Sequence, residues 1–267
     1  MDKKITLIIT GQLRLQENQN TIDKINYHID KLKPHNTILF LWDSEYQQYK
    51  KDIEQLNLHT ITLNDNLPIY SQDVIDNMFL SQNKLKQKSH IDKNDTNFYN
   101  NVLKQLYTTQ YIFQNLNYHS DIYIKTRYDN IYLNDFKINN LSNFYNENIS
   151  IISTPFGGDL DKIGLGDLLT ITNNKANNIY KNIYDIYLQQ IKNQKIPMYS
   201  ELALRYIFKN LHHSDIYRFH FLMTTEKYLK RQLIYHADRN IFQTHGFDNI
   251  GEIIGKDNLY LPDFPIV

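Results

Sequence analysis

Short apolar runs and amphipathic segments alternate between Lys3 and Leu63, and this alternation constrains the fold more than any other feature of the chain. The β-branched runs KKITLIIT, NTILFLW and HTITL are too short for buried helices and are typical of buried strands. Between them, TIDKINYHIDKLKP and SEYQQYKKDIEQLN carry apolar side chains at helical spacing, the first behind a predicted Thr21 cap. This order predicts a parallel sheet with crossover helices.

The alternation continues along the rest of the chain. Further helices are predicted over 71–88, 97–116, 174–191 and 200–211, and further strands over SDIYIKTRYDNIYL, ISIIST and LLTIT. The segment PFGGDLDKIGLGD, between the last two strands, is a glycine-dense loop, and its glycines permit the movement that a lid or an acceptor-binding loop requires. The sequence therefore predicts one α/β domain over residues 1–267.

Composition excludes several classes of function. Lys and Arg together number 29, as do Asp and Glu, so the formal net charge is +0 and no global field attracts nucleic acid or an anionic membrane. The absence of cysteine excludes disulfides, thiolate metal sites and cysteine nucleophiles. No stretch approaches the roughly 18 apolar residues of a membrane span, and Ile5–Ile9 is too short for a signal peptide. We expect a cytoplasmic protein, with peripheral membrane contact left open.

Charged side chains lie at the end of the strand in SDIYIKTRYDNIYL. Period-two alternation places Ile122 and Ile124 on one face and Lys125 and Arg127 on the other, and Asp129 follows where the strand ends. In open α/β sheets, ligands bind beyond the carboxyl ends of the strands. Two interpretations stay open: a site for an anion and a hard cation, or an Arg127–Asp129 ion pair that closes the strand.

The segment NNVLKQLYTTQYIFQNLNYHSDIYIKTRYDNIYL resembles part of bacterial lipopolysaccharide- and capsule-assembly glycosyltransferases, in which an Asn/Gln-bearing helix leads to a strand that ends in an Arg-x-Asp variant of the Asp-x-Asp motif. ITLIITGQLR and TILFLWDSE resemble the first two strands of such GT-A-fold enzymes, and the resemblance extends from Ile5 to about Ile207. It implies a mostly parallel central sheet flanked by helices, with a C-terminal helical part over the site. Residues 1–135 would bind a nucleotide-sugar and residues 136–267 the acceptor.

The resemblance also implies the residues of the nucleotide site. Gly11, Gln12 and Arg14 would line the nucleotide, with glycine allowing close backbone approach and Arg14 reaching the diphosphate. A plain strand-to-helix turn is the alternative for this stretch. Asp43 is a further candidate at the end of a strand, and a helix cap explains it equally well.

A divalent cation, Mn²⁺ or Mg²⁺, is a further implication. Asp129 matches the motif carboxylate that holds the metal, whereas Arg127 replaces the other one, so Arg127 can itself neutralise part of the diphosphate charge. A late ligand would come from IYHADRNIFQTHGF, which contains His236 and His245. No two histidines there have the short helical spacing of a zinc site, and a surface or core role is the alternative.

Two carboxylates are candidates for the catalytic base. Asp167 resembles the aspartate of a Gly-Asp pair that faces the acceptor sugar in these transferases, and its alternative role is to close a turn. Glu201, near the start of a predicted helix, can take the proton of an acceptor hydroxyl, or serve only the electrostatics of the first turn behind Ser200.

The resemblance implies transfer of a sugar from a nucleotide-sugar donor to a saccharide or glycoconjugate acceptor in surface-polysaccharide assembly. One alternative is a sugar nucleotidyltransferase, which would normally have a glycine-rich, basic phosphate loop after the first strand, whereas TGQLRLQENQ has only one glycine. The other is a non-catalytic carbohydrate-binding or scaffold protein with a degenerate site. The donor, the acceptor, the stereochemistry and the oligomeric state are not specified by the sequence.

Overall fold

The computed structural model describes residues 3–13, 15, 20–67, 71–84, 95–132, 150–153, 169–219, 223–225 and 253–256. Its strands are β1 (Ile5–Thr10), β2 (Asn36–Trp42), β3 (His59–Leu63), β4 (Ile122–Arg127), β5 (Asn130–Tyr132), β6 (Ser150–Ser153), β7 (Leu169–Asn173), β8 (Asp215–Phe219), β9 (Met223–Thr225) and β10 (Ile253–Lys256). Its α-helices are α1 (Thr21–Leu32), α2 (Asp43–Gln55), α3 (Gln72–Lys84), α4 (Thr96–Gln114), α5 (Asn177–Tyr180), α6 (Ile183–Lys192) and α7 (Ser200–Arg205).

The strands form an eight-stranded sheet in the order β10-β8-β6-β7-β4-β1-β2-β3, and β5 pairs with β9 in a second, two-stranded sheet. β1 pairs in parallel with both β2 and β4, and β2 pairs in parallel with β3. β7 runs antiparallel to its two neighbours, as β10 does to β8. The sheet is therefore mostly parallel, as the strand and helix alternation predicts.

Helices cover both faces of the sheet, because the central strands are apolar on both sides. On one face, Ile25 and Leu32 of α1 and Ile53 of α2 pack on alternate strand residues such as Leu7 and Leu39. On the other face, α3, α4 and α5 to α7 pack on the intervening residues, which include Ile8, Ile38 and Tyr123. The predicted division of β4 into an Ile122/Ile124 face and a Tyr123 face is confirmed.

The residue that caps α1 differs from the prediction. Asn20, not Thr21, precedes the helix, and its Oδ1 accepts a hydrogen bond of 2.7 Å from the backbone amide of Asp23. Thr21 is the first helical residue and is buried. Asparagine is at least as good an N-cap as threonine, so the cap lies one residue earlier than the sequence pattern indicates.

The helix predicted over 174–191 is interrupted. A 3₁₀ turn at Asn174–Ala176 leads into α5, and a new helix, α6, begins at Ile183. Gln110 of α4 explains the second start, because its Oε1 accepts hydrogen bonds from the backbone amides of Tyr184 and Asp185 at 2.9 and 3.2 Å. These amides belong to the first turn of α6, where no intrahelical acceptor exists. A side chain from another helix thus caps α6.

Strand β7 lies beside β4 and begins next to the carboxyl end of β4. Leu169, its first residue, pairs with Thr126, and its last residue, Asn173, pairs with Ile122. Asp167 and the loop PFGGDLDKIGLGD lie outside the described residues, as do residues 226–252 and 257–267, on which the predicted C-terminal helical part depends. Within the described part of the chain, no helix is long and apolar enough to cross a membrane.

Candidate functional site

A cleft of about 430 Å³ lies where β1, β2 and β4 end. Its floor consists of the carboxyl ends of these strands and the residues that follow them: Thr10, Gly11, Gln12, Phe40, Trp42, Lys125, Arg127 and Asp129. Parallel strands bring their carboxyl ends to one edge of a sheet, and this edge is the usual ligand site of open α/β folds. The register places Thr10 opposite Arg127, so the two strand ends are level.

One face of α4 forms the facing wall. Its cleft-lining residues are mainly polar and recur every three or four positions: Asn101, Lys104, Gln105, Thr108, Thr109 and Ile112. The buried apolar face of the same helix, which includes Leu103 and Leu106, packs against the other helices and the sheet. Thr108 Oγ is buried and has no hydrogen-bond partner among the described residues. The helix therefore presents amide, hydroxyl and ammonium groups to whatever occupies the cleft.

Arg127 and Asp129 form a two-point ion pair on the floor of the cleft. Arg127 Nε donates to Asp129 Oδ1 and Nη2 donates to Oδ2, each at 2.9 Å. Asp129 is buried, whereas Arg127 is about one-third exposed. The parallel geometry orients the guanidinium plane, as bidentate Arg–carboxylate pairs do. Of the two interpretations offered by the sequence, the ion pair is present, and both of its members line the cleft.

Gly11 allows the chain to turn away from β1 directly beside this pair. Its φ is +92°, a conformation that side chains of L-residues rarely adopt. A Cβ on Gly11 would lie 3.7 Å from Arg127 Cγ, an ordinary van der Waals distance. Backbone conformation, and not lack of space, is what makes glycine necessary here.

Lys104 lies on the only tryptophan of the chain. Its Nζ is 4.1 Å from the centroid of the Trp42 ring, within the range of a cation–π contact. Phe40 meets the same indole edge-on, with ring centroids 5.4 Å apart. Hydrogen bonds from Ser44 chiefly lower the pKa of Asp65, at the end of β3, and the charge of Lys104 contributes to the same shift. The ammonium group thus lies on an aromatic face, and its charge also acts on the Asp65 carboxylate.

The turn that carries Asp129 is fixed from behind by His28 of α1. His28 Nε2 donates to the Tyr128 carbonyl at 3.1 Å, which leaves Nδ1 to accept from the Tyr132 hydroxyl at 2.9 Å. The Tyr132 hydroxyl also bonds Thr126 Oγ at 2.8 Å. Burial lowers the pKa of His28 to about 4, against the opposing effects of the Tyr128 carbonyl and Asp129. A neutral histidine therefore holds the strand end at neutral pH.

The described residues do not by themselves form a site for a divalent cation. Both carboxylate oxygens of Asp129 accept hydrogen bonds from Arg127, so neither is directed at an ion alone. Over the described ranges, no group of three or more His, Cys, Asp or Glu side chains could hold a metal. His236 and His245 lie outside those ranges. The charge that the described cleft offers to an anion comes from Lys104, Lys125 and Arg127, against the single carboxylate of Asp129.

The structure brings together five of the residues singled out from the sequence: Gly11, Gln12, Lys125, Arg127 and Asp129 all line the cleft. Asp43 is not among the lining residues, and it is the first residue of α2, one position after the N-cap Trp42, so it is not the helix cap that the sequence offered as its alternative role. Glu201 lies in the first turn of α7, accepts a hydrogen bond of 3.1 Å from Ser200 Oγ, and is likewise absent from the lining. Arg14 and Asp167 lie outside the described residues.

Sequence reasoning missed Trp42 and the cleft-facing residues of α4. A signal for the helix was present, since Asn101, Lys104, Gln105 and Thr108 recur at the three- and four-residue spacing of one helix face. For Trp42, the last residue of an apolar run, no sequence signal separates a core position from a cleft position.

No family model matches the chain, and no curated protein matches it in sequence. Among solved structures, 4-diphosphocytidyl-2C-methyl-D-erythritol synthase from Anaerococcus prevotii superposes with a TM-score of 0.50 at 10% identity, over 88% of this chain and 96% of that one. Glycosyltransferase GlyE of Streptococcus pneumoniae gives 0.41 at 14% identity, over 94% of this chain and 54% of that one. Mouse xyloside xylosyltransferase 1 gives 0.38 at 9% identity, over 80% and 83%.

The first of these similarities shows the fold. The chain has the GT-A-like α/β architecture, and the fold class predicted from the sequence is confirmed. The two lower scores carry no argument, and identities this low do not transfer an activity.

Proposed function

We propose that the chain is a glycosyltransferase that moves a sugar from a nucleotide-sugar donor to a saccharide acceptor in the assembly of surface polysaccharide or glycoconjugate. One observation carries the proposal. On a chain with formal net charge +0, the cleft at the carboxyl ends of β1, β2 and β4 is lined by three cationic side chains and one carboxylate. A local excess of positive charge at the ligand-binding edge of a GT-A-like fold suits a diphosphate.

The chemistry assigns a role to each group in the cleft. When the bond between the sugar and the diphosphate breaks, negative charge develops on the leaving phosphate oxygen, and cations already in position stabilise it. Lys125 and Arg127 supply that charge from β4, and Asp129 fixes the direction of the Arg127 guanidinium. Gly11 and Gln12, which line the cleft, are proposed to contact the nucleotide, and Arg14 is proposed to reach the same diphosphate.

The acceptor hydroxyl needs a base. Asp167 and Glu201 are the proposed candidates, with Asp167 preferred, because β7 begins at Leu169 beside the end of β4 whereas Glu201 does not line the cleft. A divalent cation bound by Asp129, with His236 or His245, is the alternative source of charge for the leaving group. No step above depends on it.

A thermal-shift panel of UDP, GDP, CMP and dTDP, each in EDTA and with Mn²⁺, tests the proposal. A ligand at 100 times its Kd adds about 2.7 kcal/mol to the free energy of unfolding, or roughly 5–10 °C at about 2–4 °C per kcal/mol. We expect one nucleotide to raise Tm, and Lys125→Met to abolish that rise while Lys51→Met, an exposed position on α2, retains it. No rise for any nucleotide would favour a non-catalytic carbohydrate-binding or scaffold protein.

A sugar nucleotidyltransferase is the second candidate, because the structure with the TM-score of 0.50 is a diphosphocytidyl-methylerythritol synthase. The products separate the two reactions. A glycosyltransferase releases a nucleoside diphosphate or monophosphate from a nucleotide-sugar only while an acceptor or water takes the sugar. A nucleotidyltransferase joins a nucleoside triphosphate to a sugar phosphate and releases pyrophosphate. ³¹P NMR of the two incubations distinguishes these products directly.

A further inference from the structure

We propose that Lys104 is a phosphate-binding residue of the cleft, and that its ammonium leaves the face of Trp42 to bind a phosphate of the nucleotide. This inference rests on the proposed function for the identity of its ligand. It adds a residue from α4 to a cleft whose other described cations, Lys125 and Arg127, come from β4.

The position of Lys104 supports an exchange of partners. Its Nζ lies 4.1 Å above the Trp42 ring, and both residues line the same cleft. An indole face offers the ammonium electrostatic attraction but no hydrogen-bond acceptor. A phosphate oxygen offers a charge-assisted hydrogen bond, which adds a directional contact to the attraction between opposite charges. The four-carbon stem of lysine rotates freely enough to move the ammonium between the two.

Neighbouring groups on α4 point to the same ligand. Thr108, one helical turn further along, lines the cleft with a buried hydroxyl that has no hydrogen-bond partner in the described part of the chain. Across the cleft, Lys125 and Arg127 face the same volume. A phosphate between the helix and the strand ends would therefore meet donors from both walls, as a clamp requires.

The chain contains its own reporter for this movement. Trp42 is its single tryptophan, so the intrinsic tryptophan fluorescence reports on one indole ring. Withdrawal of the ammonium would change the emission of that ring and expose it to a neutral quencher such as acrylamide. In the absence of ligand, Lys104→Ala should raise acrylamide quenching, whereas Lys51→Ala should leave it unchanged. Equal quenching in the three proteins would show that Lys104 does not cover the indole, which overturns the proposal.

The binding test uses UDP, GDP, CDP, dTDP and inorganic pyrophosphate in EDTA, followed by Trp42 fluorescence and by calorimetry. We expect a saturable fluorescence change in the wild type and a Kd about 10-fold or more higher in Lys104→Met, since one charge-assisted contact is lost. Lys104→Arg should recover most of the affinity, and Lys51→Met should match the wild type. Lys104→Gln provides a second neutral variant if Lys104→Met does not fold.

The outcomes separate this inference from the proposed function. An unchanged Kd in Lys104→Met, with donor turnover in the wild type, overturns the inference and leaves the glycosyltransferase proposal in place. Pyrophosphate binding that depends on Lys104, without turnover of any donor, supports the inference and contradicts the glycosyltransferase. Absence of binding by every probe, both in EDTA and with Mn²⁺, overturns both.

Discussion

Arg127 and Asp129 hold each other through two hydrogen bonds of 2.9 Å at the point where β4 ends. The carboxylate that the sequence pattern offers to a metal is thus occupied by the arginine two residues before it. Its effect is to orient a guanidinium within the cleft, so removing it should affect turnover and binding differently.

We expect Asp129→Asn to retain or strengthen nucleotide binding while lowering kcat. The substitution removes the only described carboxylate that lines the cleft, so the positive charge that attracts the diphosphate rises, but it also loosens the orientation of Arg127. Calorimetry in EDTA and steady-state kinetics check the two effects separately. If the variant instead loses a Mn²⁺-dependent component of binding that the wild type possesses, Asp129 is a metal ligand and its pairing with Arg127 is secondary.

Gly11→Ala should lower the free energy of unfolding by about 1–2 kcal/mol, because the side chain opposes the φ of +92°. Gln12→Ala is the matched control, since Gln12 is the exposed neighbour and is not among the described residues with positive φ. Urea unfolding of both variants measures the difference. Equal stabilities would show that the turn relaxes without cost.

Gln110→Glu should destabilise the fold by about 1–3 kcal/mol, and Asp185→Asn should restore part of that loss. Gln110 Nε2 donates to Asp185 Oδ2 at 2.8 Å, and a glutamate there would replace this hydrogen bond with like-charge repulsion. The acceptor for the amides of Tyr184 and Asp185 would remain. A double-mutant cycle by urea unfolding measures the coupling. Strictly additive losses would mean that Gln110 and Asp185 do not interact.

Stability should fall as pH drops from about 6.5 towards 4, in part because of His28. Its pKa is lowered to about 4 by burial, so the unfolded chain binds the proton more tightly and acid favours unfolding across this window. The contribution is at most about 1.4 kcal/mol per pH unit. Urea midpoints between pH 7.5 and 4.5 should fall less steeply in His28→Gln than in the wild type, whereas the exposed His119→Gln should keep the wild-type slope.

The fold was predictable from sequence because its signals are local. The runs around Ile8, Leu39 and Ile61 have the length and the β-branched content of buried strands, and the structure places all three in the sheet. The break before α6 was not predictable in this way. It depends on Gln110, which is distant in sequence and reaches the helix start only after α4 and α6 pack together.

The candidate site was predictable in part for the same reason. Lys125, Arg127 and Asp129 follow an apolar strand, and the rule that ligands bind at strand ends needs no tertiary information. The contact between Lys104 and Trp42 joins α4 to β2, with three elements between them in the chain, so only the packing of α4 on the sheet brings them together. The bases proposed for the acceptor hydroxyl, Asp167 and Glu201, belong to residues 136–267. The role of these residues in binding the acceptor stays a prediction.

Strand β7, which runs antiparallel to both of its neighbours, separates the parallel strands β4, β1, β2 and β3 from the rest of the sheet. Every described residue that lines the cleft lies between Thr10 and Asp129, at the ends of the three parallel strands β1, β2 and β4 or on α4. The chain after Asn130 contributes no described lining residue, and it supports that unit through β7 on one edge of β4 and through α5 to α7, which pack with α4. Substitutions in the later segments that leave β7 and the packing of α5 to α7 on α4 intact should therefore leave the described cleft unchanged.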